Sequence, residues 1–268
     1  MMQAVILAGG LGTRLRPLTL DVPKPMVPVR GRPYLEYQIR YLKSFELTDI
    51  VLCIGYLGDK VVEYFGDGSR CGVNISYSHE QQPMGTGGAL HNARDLLDGQ
   101  FFLIYGDSFL PIDYAALEAS YRALRKLVLL VAYGNQNDTS VPNNISVESS
   151  GLVTKYMKGS RDPDLRFVEA GVSVVGKKVL DLMPPRQTVS LEEEIFPVLI
   201  GMKECGAYIT RDRFYDIGTP TGLEVFAEYA GINLPLPDSG EFSDMHAENM
   251  ITGKTHPNTP NPKGIFEP

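Results

Sequence analysis

The sequence is short of cysteine, of surplus positive charge and of long apolar runs, and each shortage removes a class of protein. Its three cysteines, Cys53, Cys71 and Cys205, are an odd number without paired spacing. A disulfide framework and a zinc site both fit poorly, whereas a reducing cytoplasm fits. Lysine and arginine number 25 against 32 aspartates and glutamates, a net charge of −7. A nucleic-acid footprint needs clustered surplus cations, so no nucleic-acid partner is expected. The longest unbroken apolar run covers only residues 127–133, far short of the ~20 residues of a membrane span, and no membrane partner is expected. Ala4 to Ala8 run straight into Gly9-Gly10 with no basic stretch before them, so no secretory signal is expected either.

What is present is an ordinary globular composition, 43% hydrophobic and 21% charged, which sets fibrous and wholly disordered chains aside. A length of 268 residues suits one large domain, with or without an appendage. Apolar runs at residues 3–8, 50–54, 73–77, 101–105 and 127–133 read as strands, and helical spacing places helices over 34–45, 59–65, 86–97 and 114–124. In 34–45, for instance, Leu35, Ile39 and Leu42 fall on one face. This alternation implies parallel βαβ units in an α/β fold. Beyond residue 133 the pattern changes to a hairpin (144–148 and 152–157), a long strand (167–175), a helix (191–200), a short strand (207–210) and a final helix (219–230). Residues 1–231 form the expected catalytic domain. Residues 232–268 carry Pro235, Pro237, Pro257, Pro260, Pro262 and Pro268 and little periodicity. They read as an extended tail that adds no catalytic group, with Phe242, Met245, Met250, Ile251 and Phe266 as its anchors.

In an open parallel sheet, ligands sit beyond the carboxyl ends of the strands. Here those ends carry Gly9-Gly10-Leu11-Gly12-Thr13-Arg14, Gly55-Tyr56 and Gly106-Asp107. Glycines after a buried strand let backbone N–H groups face an anion. Leu15 stands where a dinucleotide fingerprint needs its third glycine, and no Gly-Lys-Ser/Thr follows, so neither a dinucleotide loop nor a Walker A loop is present. Instead Arg14, Arg16 and Lys24, the last held between Pro23 and Pro25, flank the nest. Arg14 and Lys24 are expected to be exposed in an empty site.

The stretch from Gly9 to Thr19, followed by Pro23-Lys24-Pro25-Met26, resembles the signature of the sugar-1-phosphate nucleotidyltransferases, the NDP-sugar pyrophosphorylases. Gln82-Pro83-Met84-Gly85-Thr86-Gly87-Gly88 is similar to the family's base-recognition loop, and Gly106-Asp107 to its metal-binding strand end. Glu169-Ala170-Gly171-Val172 resembles its sugar-binding strand, and Tyr215-Asp216-Ile217-Gly218 its second metal motif. The likeness covers about residues 3–230 and is nearest to the short branch with heptose- and hexose-1-phosphate guanylyltransferases. It does not include the hexapeptide-repeat extension of bifunctional relatives.

The resemblance implies a Rossmann-like, mixed but mostly parallel sheet with helices on both faces. It implies a reaction in which a nucleoside triphosphate, GTP before UTP, CTP or dTTP, meets a sugar-1-phosphate to give an NDP-sugar and pyrophosphate. On that likeness Arg14, Lys24 and Asp107 are catalytic. Leu7, Ala8, Gly9, Gly10, Gly12, Thr13, Arg14, Lys24, Gln82, Gly85, Thr86 and Gly106 bind the nucleotide, with Gln82 reading the base. Lys158, Glu169 and Gly171 hold the sugar phosphate, and Asp107 and Asp216 hold Mg2+. A homo-oligomer is left open. Two other classes compete. A glycosyltransferase would show Asp-x-Asp where this chain has Asp107-Ser108-Phe109. A non-catalytic sugar-nucleotide-binding subunit would lack one of the four charged residues Arg14, Lys24, Asp107 and Asp216. His79 reads as an ordinary strand-end residue, and the acidic run Glu192-Glu193-Glu194 as helix-dipole complement after Ser190.

Overall fold

The computed structural model describes residues 2–136, 139, 141–184 and 187–234. The first half of the chain runs β1 (Gln3–Leu7), β2 (Pro28–Val29), β3 (Arg32–Pro33), α1 (Tyr34–Ser44), β4 (Asp49–Ile54), α2 (Gly58–Phe65), β5 (Asn74–His79), α3 (Gly85–Asn92), β6 (Gln100–Tyr105), β7 (Ser108–Phe109), α4 (Tyr114–Leu124) and β8 (Val128–Tyr133). The second half adds β9 (Ile145–Val147), β10 (Val153–Tyr156), β11 (Val168–Gly176), α5 (Phe196–Gly201), β12 (Cys205–Thr210), β13 (Tyr215–Asp216) and α6 (Pro220–Asn233).

The long strands form a seven-stranded sheet in the order β12-β8-β11-β6-β1-β4-β5. Their side chains alternate between two cores, which is why the sequence reads as unbroken apolar runs. Ile50, Leu52 and Ile54 of β4 join one core with Leu35 and Ile39 of α1 and Val61 of α2. Val51 and Cys53 face the other, with Ala89 and Leu90 of α3 and Phe196 and Leu199 of α5. Helices therefore cover both faces, as expected. A third, aromatic cluster fastens α6: Phe226 packs edge-on against Tyr34, ring centroids 4.9 Å apart, and against Phe109.

β11 alone runs against its neighbours, antiparallel to both β6 and β8, while the other pairings in the sheet are parallel. This reversal positions the site. Where parallel strands bring their carboxyl ends to the ligand edge, β11 brings its beginning, so Glu169 and Gly171 arrive beside the end of β6. The two-residue strands β7 and β13, invisible to periodicity, pair Asp216 with Ser108 and carry Asp216 next to Asp107.

Several local expectations are corrected. The helix read over 86–97 stops at Asn92 and continues as a 3-10 turn over Arg94–Leu96. The helix read over 191–200 opens as a π-turn over Leu191–Ile195 before becoming α5, a geometry common at functional sites. The last helix runs to Asn233, two residues into the segment read as tail. Residues 235–268, with all of the tail's named anchors and prolines, lie outside the described residues. No helix among the described residues is long and apolar enough to cross a membrane.

Candidate active site

Two cavities meet above the carboxyl edge of the sheet. The first, about 380 Å3, is walled by the loop after β1 (Ala8 to Arg14), by Lys24, by Met84 to Thr86 at the start of α3, and by Gly106-Asp107 after β6. The second, about 460 Å3, lies between the β9–β10 hairpin, the start of β11 and the β13–α6 corner. Arg14, Thr86, Tyr105 and Asp107 line both.

The first cavity is built from backbone. β1 ends at Leu7, and Ala8 N–H donates to Cys53 O at 2.7 Å, which holds the loop to β4. Gly12 then turns with φ 62°, and a side chain there would collide with Thr19 and Lys24, so only glycine fits. Thr19 Oγ1 donates to Gly12 O at 2.8 Å and closes the loop. Arg14 follows in a short 3-10 turn and stays exposed, as expected. Its guanidinium lies against Gly218, where a Cβ would strike both the Arg14 side chain and the Asp216 carboxylate. Lys24 departs from expectation. Its flanking prolines pin it in a 3-10 turn, it is only 9% exposed, and its ammonium is ion-paired with Asp107.

Asp107 and Asp216 face each other. Burial first, and then the charge of Asp107, push the Asp216 carboxyl above its ordinary value, while Gly218 N–H, donating to Oδ1 at 2.5 Å, and the cations Lys24 and Arg14 work the other way. Two carboxylates brought together around one ammonium suit a cation with loosely filled coordination. Mg2+ takes one or two carboxylates, completing its shell with water and phosphate oxygens. Among the described residues no group of three or more His, Cys, Asp or Glu side chains could hold a metal by itself. The donor set therefore fits a metal that arrives with phosphates rather than a resident caged ion.

The second cavity is built from side chains. Glu169 is half-buried, with Oε1 accepting from Gly171 N–H at 2.8 Å and its own N–H donating to Asn144 Oδ1 at 2.8 Å. Burial, reinforced by the charge of Glu192, pushes its carboxyl up to about 8. Gly171 adopts φ 75° and lies so close to Ser108 that a Cβ would overlap that side chain. Lys158 is exposed at the rim.

Sequence reasoning missed two residues and misplaced one. Glu192, read as a helix-dipole acid, is only 7% exposed and lines the second cavity. It accepts hydroxyls from Tyr105 at 2.5 Å, Thr86 at 2.6 Å and Ser190 at 2.9 Å. Burial works against its charge, but these bonds outweigh burial and hold the carboxyl below its ordinary value. Only Glu194, accepting from Ser190 N–H at 2.8 Å, behaves as a capping acid. Glu80 lines the first cavity; Gln82 does not, being exposed on a neighbouring recess. The clue in the sequence was position: Glu80 directly follows β5, at the ligand edge. His79 is the last, exposed residue of β5, as read. Arg16 is exposed and lines neither cavity. The remaining nucleotide, sugar-phosphate and metal candidates all line one cavity or the other.

The chain resembles known proteins in sequence and in fold. The family model for nucleotidyl transferase matches residues 3–230. The mannose-1-phosphate guanylyltransferase of Mycobacterium tuberculosis is 34% identical over 220 residues, covering 81% of this chain and 61% of the relative. The D-glycero-alpha-D-manno-heptose 1-phosphate guanylyltransferase of Campylobacter jejuni is 32% identical over 219 residues, covering 82% of this chain and 96% of that one. The chain thus spans about three-fifths of the mannose-1-phosphate relative but nearly all of the heptose one. The crystal structure of HddC from Yersinia pseudotuberculosis complexed with GMP-PN superposes with a TM-score of 0.73 at 27% identity, over 85% of this chain and 99% of that one. A putative glucose-1-phosphate thymidylyltransferase from Bacillus anthracis, 21% identical, shares the fold with a TM-score of 0.76. The match to residues 3–230 takes in both cavities, and the chain belongs to the nucleotidyl transferase family.

Proposed function

We propose that the chain is a sugar-1-phosphate guanylyltransferase, which couples GTP to a heptose- or hexose-1-phosphate and releases pyrophosphate. The observation that carries the reading is the shared wall. A backbone-built cavity suited to phosphates and a carboxylate-lined cavity suited to hydroxyls touch at Arg14, Thr86, Tyr105 and Asp107. Two polyanions can meet there with their charge compensated.

In this reading an oxygen of the sugar phosphate attacks the α-phosphorus of the triphosphate. The bond to the bridging α–β oxygen breaks, and pyrophosphate leaves with that electron pair. The acceptor is already ionised at neutral pH, so no side-chain base is needed. Catalysis is positioning and charge compensation. The backbone from Gly9 to Thr13 cradles the triphosphate. The exposed fork of Arg14 takes the departing pyrophosphate end, a bidentate task that suits guanidinium. Lys24 stands where the two phosphates converge and exchanges its partner Asp107 for phosphate oxygens. Lys158 steers the acceptor phosphate, while Glu169 and the Gly171 backbone receive the sugar hydroxyls.

Asp107 and Asp216 are the residues that would hold Mg2+. When bound, the ion supplies Lewis-acid stabilisation of the charge that builds on the phosphates. The guanine preference rests on the two guanylyltransferase relatives. Three free, buried cysteines fit a reducing compartment, and the reading places the reaction in the cytoplasm. A glycosyltransferase is disfavoured because Ser108-Phe109, which would carry the second carboxylate of Asp-x-Asp, is instead strand β7 paired to β13.

Pyrophosphate release, measured across GTP, UTP, CTP, dTTP and ATP against a panel of hexose- and heptose-1-phosphates, tests the reading. Turnover is expected with GTP and one acceptor class, and excess EDTA is expected to abolish it. No release with any pair would overturn the assignment, and full turnover in EDTA would remove the metal.

A further inference from the structure

Asp107 stands on a two-residue turn that other elements hold from three sides. β6 ends at Tyr105 and β7 begins at Ser108, so only Gly106-Asp107 lies between them. On the β1 side Gly106 N–H donates to Leu7 O at 2.9 Å. Beside Asp216, Ile217 N–H donates to Asp107 O at 3.0 Å. The third support comes from α1. Gln38 Nε2 donates to Tyr105 O at 3.0 Å and to Ser108 O at 2.8 Å, so the two hydrogens of one amide go to the two carbonyls that bracket the turn. Gln38 is buried and lines neither cavity. Its Oε1 is buried without a hydrogen-bond partner among the described residues. An unpaired buried acceptor costs about 1–3 kcal/mol, which an apolar side chain of the same shape avoids. What the amide supplies in return is its pair of donors. Turning the amide over is no alternative, because Oε1 would then meet two carbonyl oxygens.

We infer that Gln38 is a positioning residue for Asp107: its amide clamps the carbonyls on either side of Gly106-Asp107 and so sets where the carboxylate stands. The inference rests on the nucleotidyl-transfer reading above and adds the residue that holds one of its carboxylates in place. Asp107 pairs with Lys24, opposes Asp216 and, in that reading, would hold Mg2+. Each contact depends on where a short side chain begins. Aspartate has few rotatable bonds, so a shift of the turn passes to the carboxylate nearly undiminished. The peptide from Tyr105 to Gly106 is gripped at both ends, its N–H by Leu7 O and its C=O by Gln38. Without Gln38 it is held at one end, and Ser108 O loses this donor as well. The same helix also steadies the other partner of the ion pair. α1 begins at Tyr34, whose N–H donates to Val27 O at 3.1 Å, directly after the 3-10 turn that carries Lys24. Tyr34 lies one turn before Gln38, is equally buried, and its hydroxyl has no partner among the described residues. It gives nothing to the turn and so serves as the matched control.

The test is the melting temperature of the full chain in saturating GTP, once with Mg2+ and once with EDTA, together with steady-state pyrophosphate release. The difference between the two melting temperatures reports cation binding without turnover, because no sugar phosphate is present. Wild type is expected to melt higher with Mg2+. Gln38→Met removes both donors at nearly the same volume, and Gln38→Glu keeps the shape but offers at most one. Each should lose roughly half or more of the Mg2+ increment and lower kcat about ten- to a hundredfold, with KM for GTP within about threefold, as expected for a catalytic group displaced by ~1 Å. Tyr34→Phe should keep both the increment and kcat. In Asp107→Asn, adding Gln38→Met should lower kcat by less than about threefold further, because two changes acting through one group are not additive. A folded Gln38→Met or Gln38→Glu protein with the wild-type increment and turnover would overturn the inference. So would the same losses in Tyr34→Phe, or a full further loss in Asp107→Asn. A wild-type melting temperature that GTP does not move, with or without Mg2+, would instead overturn the nucleotidyl-transfer reading, and this inference with it.

Discussion

In the proposed reading the two cavities solve the same problem, binding a phosphorylated substrate, with different materials. The nucleotide cavity is largely main chain: Ala8 to Thr13, Gly85 and Gly106 line it, and of its charged side chains Lys24 and Asp107 are paired with each other. The acceptor cavity is made of side chains, among them Asn144, Lys158, Glu169 and Glu192, contributed by elements scattered from the hairpin to α5. Backbone N–H groups recognise any phosphate and cannot be varied by substitution, whereas carboxylates and amides can be rearranged for another sugar. One cavity is therefore fixed by the chemistry, and the other is adjustable to the substrate.

The sharpest way to break this contrast is to remove the cations at the shared wall. Lys24→Ala and Arg14→Ala should each lower kcat by ~10²–10³, the usual cost of losing a contact made chiefly in the transition state. Their stabilities should differ. Arg14 is exposed, and its loss should leave the melting temperature within about a degree. Lys24 is buried against Asp107, whose carboxylate would then face Asp216 uncompensated. Lys24→Ala should melt lower by the equivalent of ~1–2 kcal/mol, and Mg2+ should restore part of the loss. Near wild-type turnover in folded Lys24→Ala would end the charge-compensation argument.

The same division decided what could be read from sequence. The nucleotide loop is contiguous, and its glycines, proline-locked Lys24 and strand-end Asp107 sit at fixed offsets, so a linear pattern carried them. Parallel strands buried on both faces were equally plain as apolar runs. The acceptor side depends on contacts across the chain. Glu192 meets Thr86 from 106 residues away and Tyr105 from 87, and nothing local distinguishes it from Glu193 or Glu194. The pairing of β7 with β13, which brings Asp216 to Asp107, involves two-residue strands too short to show a period. The reversal of β11 is a choice of topology and leaves no mark on its own residues. Lys24 was read as exposed because its partner lies 83 residues on.

A second prediction targets Glu192, the one acceptor-side carboxylate that also supports the nucleotide side through Thr86. Glu192→Gln replaces one acceptor oxygen by an amino group among three hydroxyl donors. The loss should cost about 1–3 kcal/mol of stability, the range for disturbing a buried charge-assisted network. It should also raise KM for both substrates several-fold, because Thr86 and Tyr105 line both cavities. Steady-state kinetics with each substrate varied in turn decides this. A rise confined to the acceptor would mean that the two cavities are independent, and the shared wall would lose its meaning.

The remaining test concerns Glu169, and it distinguishes a side-chain cavity from a backbone one by titration. Burial, then the charge of Glu192, holds its carboxyl at about 8 against an ordinary 4.5. An unfolded chain therefore releases this proton at lower pH than the folded one does. Between those values the native state binds more protons, so this group's contribution to stability is greatest below about 4.5, declines as pH rises, and levels off above about 8. A single group can supply a slope of at most about 1.4 kcal/mol per pH unit. Glu80 and Asp216 are pushed in the same direction, so the wild-type curve alone does not isolate the effect. Glu169→Gln does, because its amide cannot titrate. The melting temperature of wild type minus that of Glu169→Gln should fall steadily from pH 5 to pH 8. A neutral Glu169 also has a consequence for binding, since a carboxyl can both donate to and accept from a sugar hydroxyl, whereas a carboxylate can only accept. Melting curves for the two proteins that stay parallel across that range would show that Glu169 is ionised throughout, and the acceptor cavity would then be recognising hydroxyls by acceptance alone.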